Sequence, residues 1–262
     1  STSVNVLLIH NSGGPVFSST GTQKPTLKNC KFVENRCSAV LSNSSNGSGY
    51  MCNARDCCFV SNTISGRAVS LGYLNLTNCV FTGNSGGSDG GQVACYFKSK
   101  EETPMTATCI DCTFSNNLST AANGSVGNKV TLKNCRIIGN KGGAKGQLNG
   151  CNVYNSLIAG NTATGPTVSA FSNETIANCT IVGNTNTGAG GGTVAAADGI
   201  TLSCVNTIVK GNAAPAADTI TFATNCCLEA TAQVGTGEGN VTDDPKLVKA
   251  GDTAENQENP DA

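Results

Sequence analysis

Asn29-Cys30-Lys31-Phe32-Val33-Glu34-Asn35 is a unit that recurs along almost the whole chain. Written as Asn/Asp, Cys, x, Phe/Ile, x, x, Asn, it returns at residues 56–62, 78–84, 111–117 and 134–140. Looser copies occupy 155–161, 178–184 and 206–212, and worn ones begin at Asn5 and Asn225. The closing residues are Asn11, Asn35, Asn62, Asn84, Asn117, Asn140, Asn161, Asn184 and Asn212, separated by 21 to 33 residues. A period in that range marks a solenoid, whose units bury their apolar side only by stacking on one another. Apolar positions alternate or form short β-branched runs, and glycine interrupts every longer stretch. No helical spacing is sustained, so the elements read as short strands.

Two columns of the repeat should face inward. Two residues after the Cys position stand Phe32, Phe59, Phe81 and Phe114, then Ile137, Ile158 and Ile181. The four rings fall on consecutive coils and should stack. Three residues before the Cys position stand Leu27, Ala54, Leu76, Cys109, Leu132, Val153, Ile176 and Cys204. Between the two columns the chain must bend sharply, and Asn or Asp is the non-glycine type that best tolerates a left-handed backbone. Three short strands per coil, separated by bends, predict an all-β, right-handed, single-stranded parallel β-helix. It should have about nine to ten coils and a length on the order of 45 Å at the strand spacing. The closing asparagines are expected to form an amide ladder from coil to coil, rather than a row offered to sugar hydroxyls. Residues 1–234 form the β-helix in this reading, and 235–262 a capping segment and acidic tail in which Leu247-Val248 supplies the lid.

Of the fifteen cysteines, Cys30, Cys57, Cys79, Cys112, Cys135, Cys179 and Cys226 share one column, where Val6, Ser156 and Thr207 substitute. That interchange reads as a size requirement. In-register neighbours stand about 4.8 Å apart with parallel side-chain vectors, whereas a disulfide wants roughly 3.5–4.5 Å and converging ones. A ladder of thiols is expected, with Cys37, Cys52, Cys95 and Cys151 left open. No Cys-x-x-Cys pairs with histidine at ligand spacing, so no metal or other cofactor is assigned.

Only 13% of the 262 residues are charged, and the sequence contains one histidine. Residues 1–228 hold 14 Lys/Arg against 9 Asp/Glu, or +5, and residues 229–262 hold 2 against 8, or −6. Glycoside hydrolysis needs paired carboxylates, and a lyase needs a base beside a cation. The acids here are scattered and His10 stands in a worn copy, so no catalytic residue is assigned. A pI near 5.8 without a basic, aromatic stripe argues against nucleic acid as a partner. No transmembrane run or signal peptide is present, and the expectation is a mature or truncated chain whose leader has been removed. The longest interval, 84 to 117, carries Tyr96, Phe97, Lys98, Lys100 and Glu101. Such an excursion is either a ligand-binding patch or a solvated loop.

These residues resemble a known group. The repeat, with Gly-Gly-x-Val near the following strand, resembles the right-handed β-helix repeats of bacterial surface proteins. It is similar to the FxxN and GGA(I/L/V) repeats of chlamydial polymorphic membrane proteins, which are adhesins, although Gly-Gly-Ala is intact only at residues 142–144. It is closer to secreted β-helix proteins of Bacteroidetes, whose Asn-x-x-x-Asp-Pro-x-Phe-Val ending is matched from Asn240 to Val248. The resemblance covers roughly residues 5–250. It implies a monomeric, non-catalytic module of the cell surface or exterior, a stalk or adhesin displaying loops to an extracellular glycan or a host or cell-surface protein. The alternative is a polysaccharide-binding or polysaccharide-degrading β-helix. The clustered Asp pairs, Gly-His-Gly and Arg-x-Lys elements of the pectate-lyase-like and polygalacturonase-like enzymes are not found here.

Overall fold

Short apolar runs broken by left-handed bends give parallel strands throughout, and no helix occurs among the described residues. The computed structural model describes residues 2–19, 26–38, 40–43, 52–65, 70–71, 74–86, 95–96, 107–119, 126–128, 130–143, 147–170, 173–189, 191–196 and 199–245. The chain is a parallel β-solenoid with three sheets. One coil shows the path. Thr26–Lys28 lies in the first sheet, Lys31–Val33 in the second and Arg36–Cys37 in the third, and Leu41–Asn43 returns to the first. The next coil lies directly over it, with Leu27 opposite Ala54 and Phe32 opposite Phe59.

Both expected inward columns are in register along the rod. In the second sheet the pairing runs from Leu8 through Phe32, Phe59, Phe81, Phe114, Ile137, Ile158, Ile181 and Val209 to Leu228. Phe32, Phe59, Phe81 and Phe114 form one pile, with centroids 5.0, 4.4 and 5.2 Å apart and ring planes within 23° of parallel. The first-sheet column from Leu27 to Ala223 is equally buried. Its members pack against the rings, and burial of this kind supplies most of the driving force for folding.

Two bends turn each coil. Asn5, Asn29, Asp56, Asn78, Asp111, Asn134, Asn155, Asn178, Asn206 and Asn225 all adopt φ of 47–56°, as the repeat predicts. The second left-handed residue lies one place before the closing Asn: His10, Glu34, Ser61, Gly83, Asn116, Gly139, Gly160, Gly183 and Gly211, at φ of 52–64°. The repeat does not mark this position, because five residue types share it.

The solenoid has about seven turns rather than the expected nine to ten. Among the described residues the third sheet has eight strands, Ser12–Gly13 to Thr185–Asn186, and eight strands bound seven steps. After Asn212 that side keeps one bridge, Thr185 to Ala213. Pro215 follows, and with no N–H it cannot continue a ladder. At this end Thr219–Thr224 pairs with both stacks of the first sheet and receives Gln233–Thr236, which crosses the 234/235 boundary of the sequence reading. Val241 bridges Cys227, and Asn240 accepts the Cys226 N–H at 3.0 Å while donating to the Ala223 carbonyl at 2.9 Å. Leu247 and Val248, the expected lid, lie outside the described residues.

Candidate functional site

The repeat offers three rows of polar or reactive groups, and the fold commits each differently. The closing asparagines Asn35, Asn62, Asn84, Asn117, Asn140, Asn161 and Asn184 are all buried. Each donates Nδ2–H to the Oδ1 of the next closing Asn at 2.8–3.0 Å. Its backbone N–H donates to the same oxygen at 2.9–3.0 Å. The second Nδ2 hydrogen goes to the carbonyl of the preceding coil's aromatic or aliphatic column, from Leu8 to Ile158, at 2.8–3.1 Å. Asn11 opens this ladder and Asn212 closes it. A primary amide has two donors and two acceptor sites, so an interior rung has nothing left for a ligand.

The first-bend row stays on the surface and also pairs. Asn78 donates to Asp56 at 2.8 Å, Asn134 to Asp111 at 3.1 Å, Asn155 to Asn134 at 3.3 Å, Asn178 to Asn155 at 3.1 Å and Asn206 to Asn178 at 3.2 Å. These amides bridge coils too, but one edge of each faces water.

The cysteine column is buried as expected, and no disulfide occurs among the described residues. Size is only half of its rule. Cys30, Cys57, Cys79, Cys112, Cys135, Cys179 and Cys226 each donate S–H to the carbonyl two residues earlier at 3.2–3.4 Å. Ser156 and Thr207 do the same with O–H, at 2.7 and 2.9 Å. Apart from Val6 in the worn first copy, the position therefore takes a small side chain that can donate across the left-handed bend. Hydrogen bonding to Cys112, with burial, pushes the Cys79 thiol up to about 12, and burial pushes Cys179 to about 11. Cys57 is raised further by its contact with Cys79, Cys112 by Cys109, and Cys204 by burial. Thiols held this far above neutrality are poor nucleophiles and poor ligands.

Of the excursion read as a ligand patch, Tyr96 closes the strand Cys95–Tyr96, opposite Leu71. Phe97, Lys98, Lys100 and Glu101 lie outside the described residues. Among the described residues no three His, Cys, Asp or Glu side chains come together to hold a metal ion, and no helix is long and apolar enough to cross a membrane.

A surface depression of about 480 Å³ lies over the second bend, lined by His10, Asn11, Ser12, Glu34, Arg36, Ser61 and Thr63. His10 Nδ1 stands 3.5 Å from Glu34 Oε2, with both side chains more than half exposed. Sequence reading assigns none of these residues to a site: His10 is set aside as part of a worn copy and Asn11 is placed in the ladder, and the others come from three different coils at positions the motif leaves unspecified. The one available signal was a side chain where most coils place glycine. No family model matches the chain, and a search of curated proteins finds no match.

Proposed function

We propose that this chain is a non-catalytic β-solenoid module of a secreted or cell-surface protein, a stalk or adhesin-like rod that displays loops to an extracellular glycan or a surface protein. The observation that carries this reading is the amide ladder from Asn11 to Asn212, in which every interior rung is saturated. The residues repeated coil after coil, Asn, Cys and Phe, either face the interior or bond to the neighbouring coil, so the repeat serves rigidity. What varies between coils is the length of the connecting segments, and solenoids carry binding on such segments. Fold alone does not select a function. The low charge and the repeat resemblance support an extracellular setting, and a right-handed coil is the hand that parallel connections favour.

The test is a glycan array run together with a uronate-lyase and glycoside-hydrolase screen. Retention of glycans or surface proteins without turnover is the expected result. Turnover of any polysaccharide overturns the non-catalytic assignment.

A further inference from the structure

We propose that the depression formed by His10, Glu34, Arg36 and Ser61 binds a saccharide that carries a carboxylate. This goes beyond the rod reading, since it places a ligand on the wall of the solenoid rather than on its loops.

The backbone supplies the first argument. Along the column before the closing Asn, the left-handed bend is made by glycine at Gly83, Gly139, Gly160, Gly183 and Gly211 and by Asn116. Only over the depression is it made by His10, Glu34 and Ser61, at φ of 53, 52 and 52°. Asn and His tolerate this region, but Glu and Ser do so poorly, and glycine would serve the turn with less strain. Strained positions of this kind cluster where a side chain is needed for binding. Stacking puts the three side chains beside one another on successive coils.

Shape and chemistry supply the second argument. The volume, about 480 Å³, suits a ligand of one or two sugar rings. Every lining side chain is polar, with three hydroxyls from Ser12, Ser61 and Thr63. Glu34 turns one oxygen to His10, whereas Arg36 has no carboxylate within ion-pair distance among the described residues. An Arg fork with no carboxylate partner among the described residues is matched by a planar carboxylate, held bidentately. Glu34 and the hydroxyls can then accept and donate to sugar hydroxyls.

The experiment is an NMR titration of the full chain with galacturonate, glucuronate and N-acetylneuraminate, with glucose and acetate as controls. At least one acidic sugar should shift the amides of Glu34, Arg36 and Ser61, with at least tenfold weaker response to glucose and to acetate. Arg36→Ala should weaken binding at least tenfold. Glu34→Gly and Ser61→Gly should weaken binding while raising the thermal midpoint. The proposal is overturned if no acidic sugar shifts these amides, if acetate or glucose binds as well, or if binding survives Arg36→Ala. It is also overturned if the glycine variants lower the midpoint, because the side chains then serve the fold.

Discussion

Asn62 Nδ2 donates to Asn84 Oδ1 at 2.9 Å, and the backbone N–H of Asn62 donates to the same oxygen at 3.0 Å. Asn84 repeats the arrangement toward Asn117 and sends its remaining hydrogen back to the Phe59 carbonyl at 2.9 Å. Buried donors therefore point toward the later coil. In the surface row the sense is reversed, since Asn78 donates back to Asp56. Two rows of amide dipoles thus run antiparallel along the rod, and their long-range fields partly cancel.

The ladder predicts a strong dependence on position. Asn84→Ala removes four hydrogen bonds and leaves the Asn62 N–H and Nδ2–H buried without an acceptor. Each orphaned buried group costs about 1–3 kcal/mol, so the loss should reach roughly 3–5 kcal/mol. Asn11→Ala, at the exposed first rung, removes only donors and orphans no buried N–H, so it should cost about 1 kcal/mol. Urea unfolding of the two variants checks the difference.

The aromatic pile predicts a second contrast. Phe81 is fully buried between Phe59 and Phe114, and Phe81→Ala should cost about 3–5 kcal/mol through the cavity it leaves. Phe81→Ile should cost under about 2 kcal/mol, since later coils fill the same column with Ile137, Ile158 and Ile181. Thermal denaturation of both variants reads this directly.

The thiols predict alkaline lability. The folded Cys79 and Cys179 titrate near 12 and 11, above the ordinary value of 9.0. Above pH 9 the unfolded chain loses these protons while the folded chain keeps them, so stability falls as pH rises. The contribution is complete below about 9 and is lost progressively toward 11 and 12. Urea midpoints between pH 8 and pH 11 should decline, and Cys179→Ser should reduce the slope. At pH 8 a thiol reagent should modify the half-exposed Cys58 and Cys227 well before Cys79 or Cys179.

Gly86 predicts a backbone effect. It adopts φ of 115°, and an added Cβ would collide with the Ile64 carbonyl of the preceding coil. Gly86→Ala should therefore cost roughly 2–4 kcal/mol. A change within experimental error would show that the third sheet can shift there.

The first bend, the inward columns and the amide ladder were legible because each depends on one residue type recurring at one place. Asn29 and Phe32 each announce a conformation and a direction. The coil count was overread because the worn copies at Asn5 and Asn225 keep the motif, while Pro215 removes the third side. The second bend was hidden, since Glu34 and Gly83 share a backbone conformation but no chemistry. The thiol column read as a matter of size, and only the Ser156 and Thr207 bonds reveal its donor rule. The depression at His10 was illegible because sequence spacing does not show which unspecified positions stack.

The central claim is that the repeated amides are interior and fully engaged with one another. Side-chain amide hydrogen exchange of Asn35, Asn62, Asn84, Asn117, Asn140, Asn161 and Asn184 tests it most directly. Their Nδ2 hydrogens should exchange only through global unfolding and should not move when polysaccharide is added. Exchange at the rate of an exposed amide, or a shift of these signals on adding a glycan, would contradict the account.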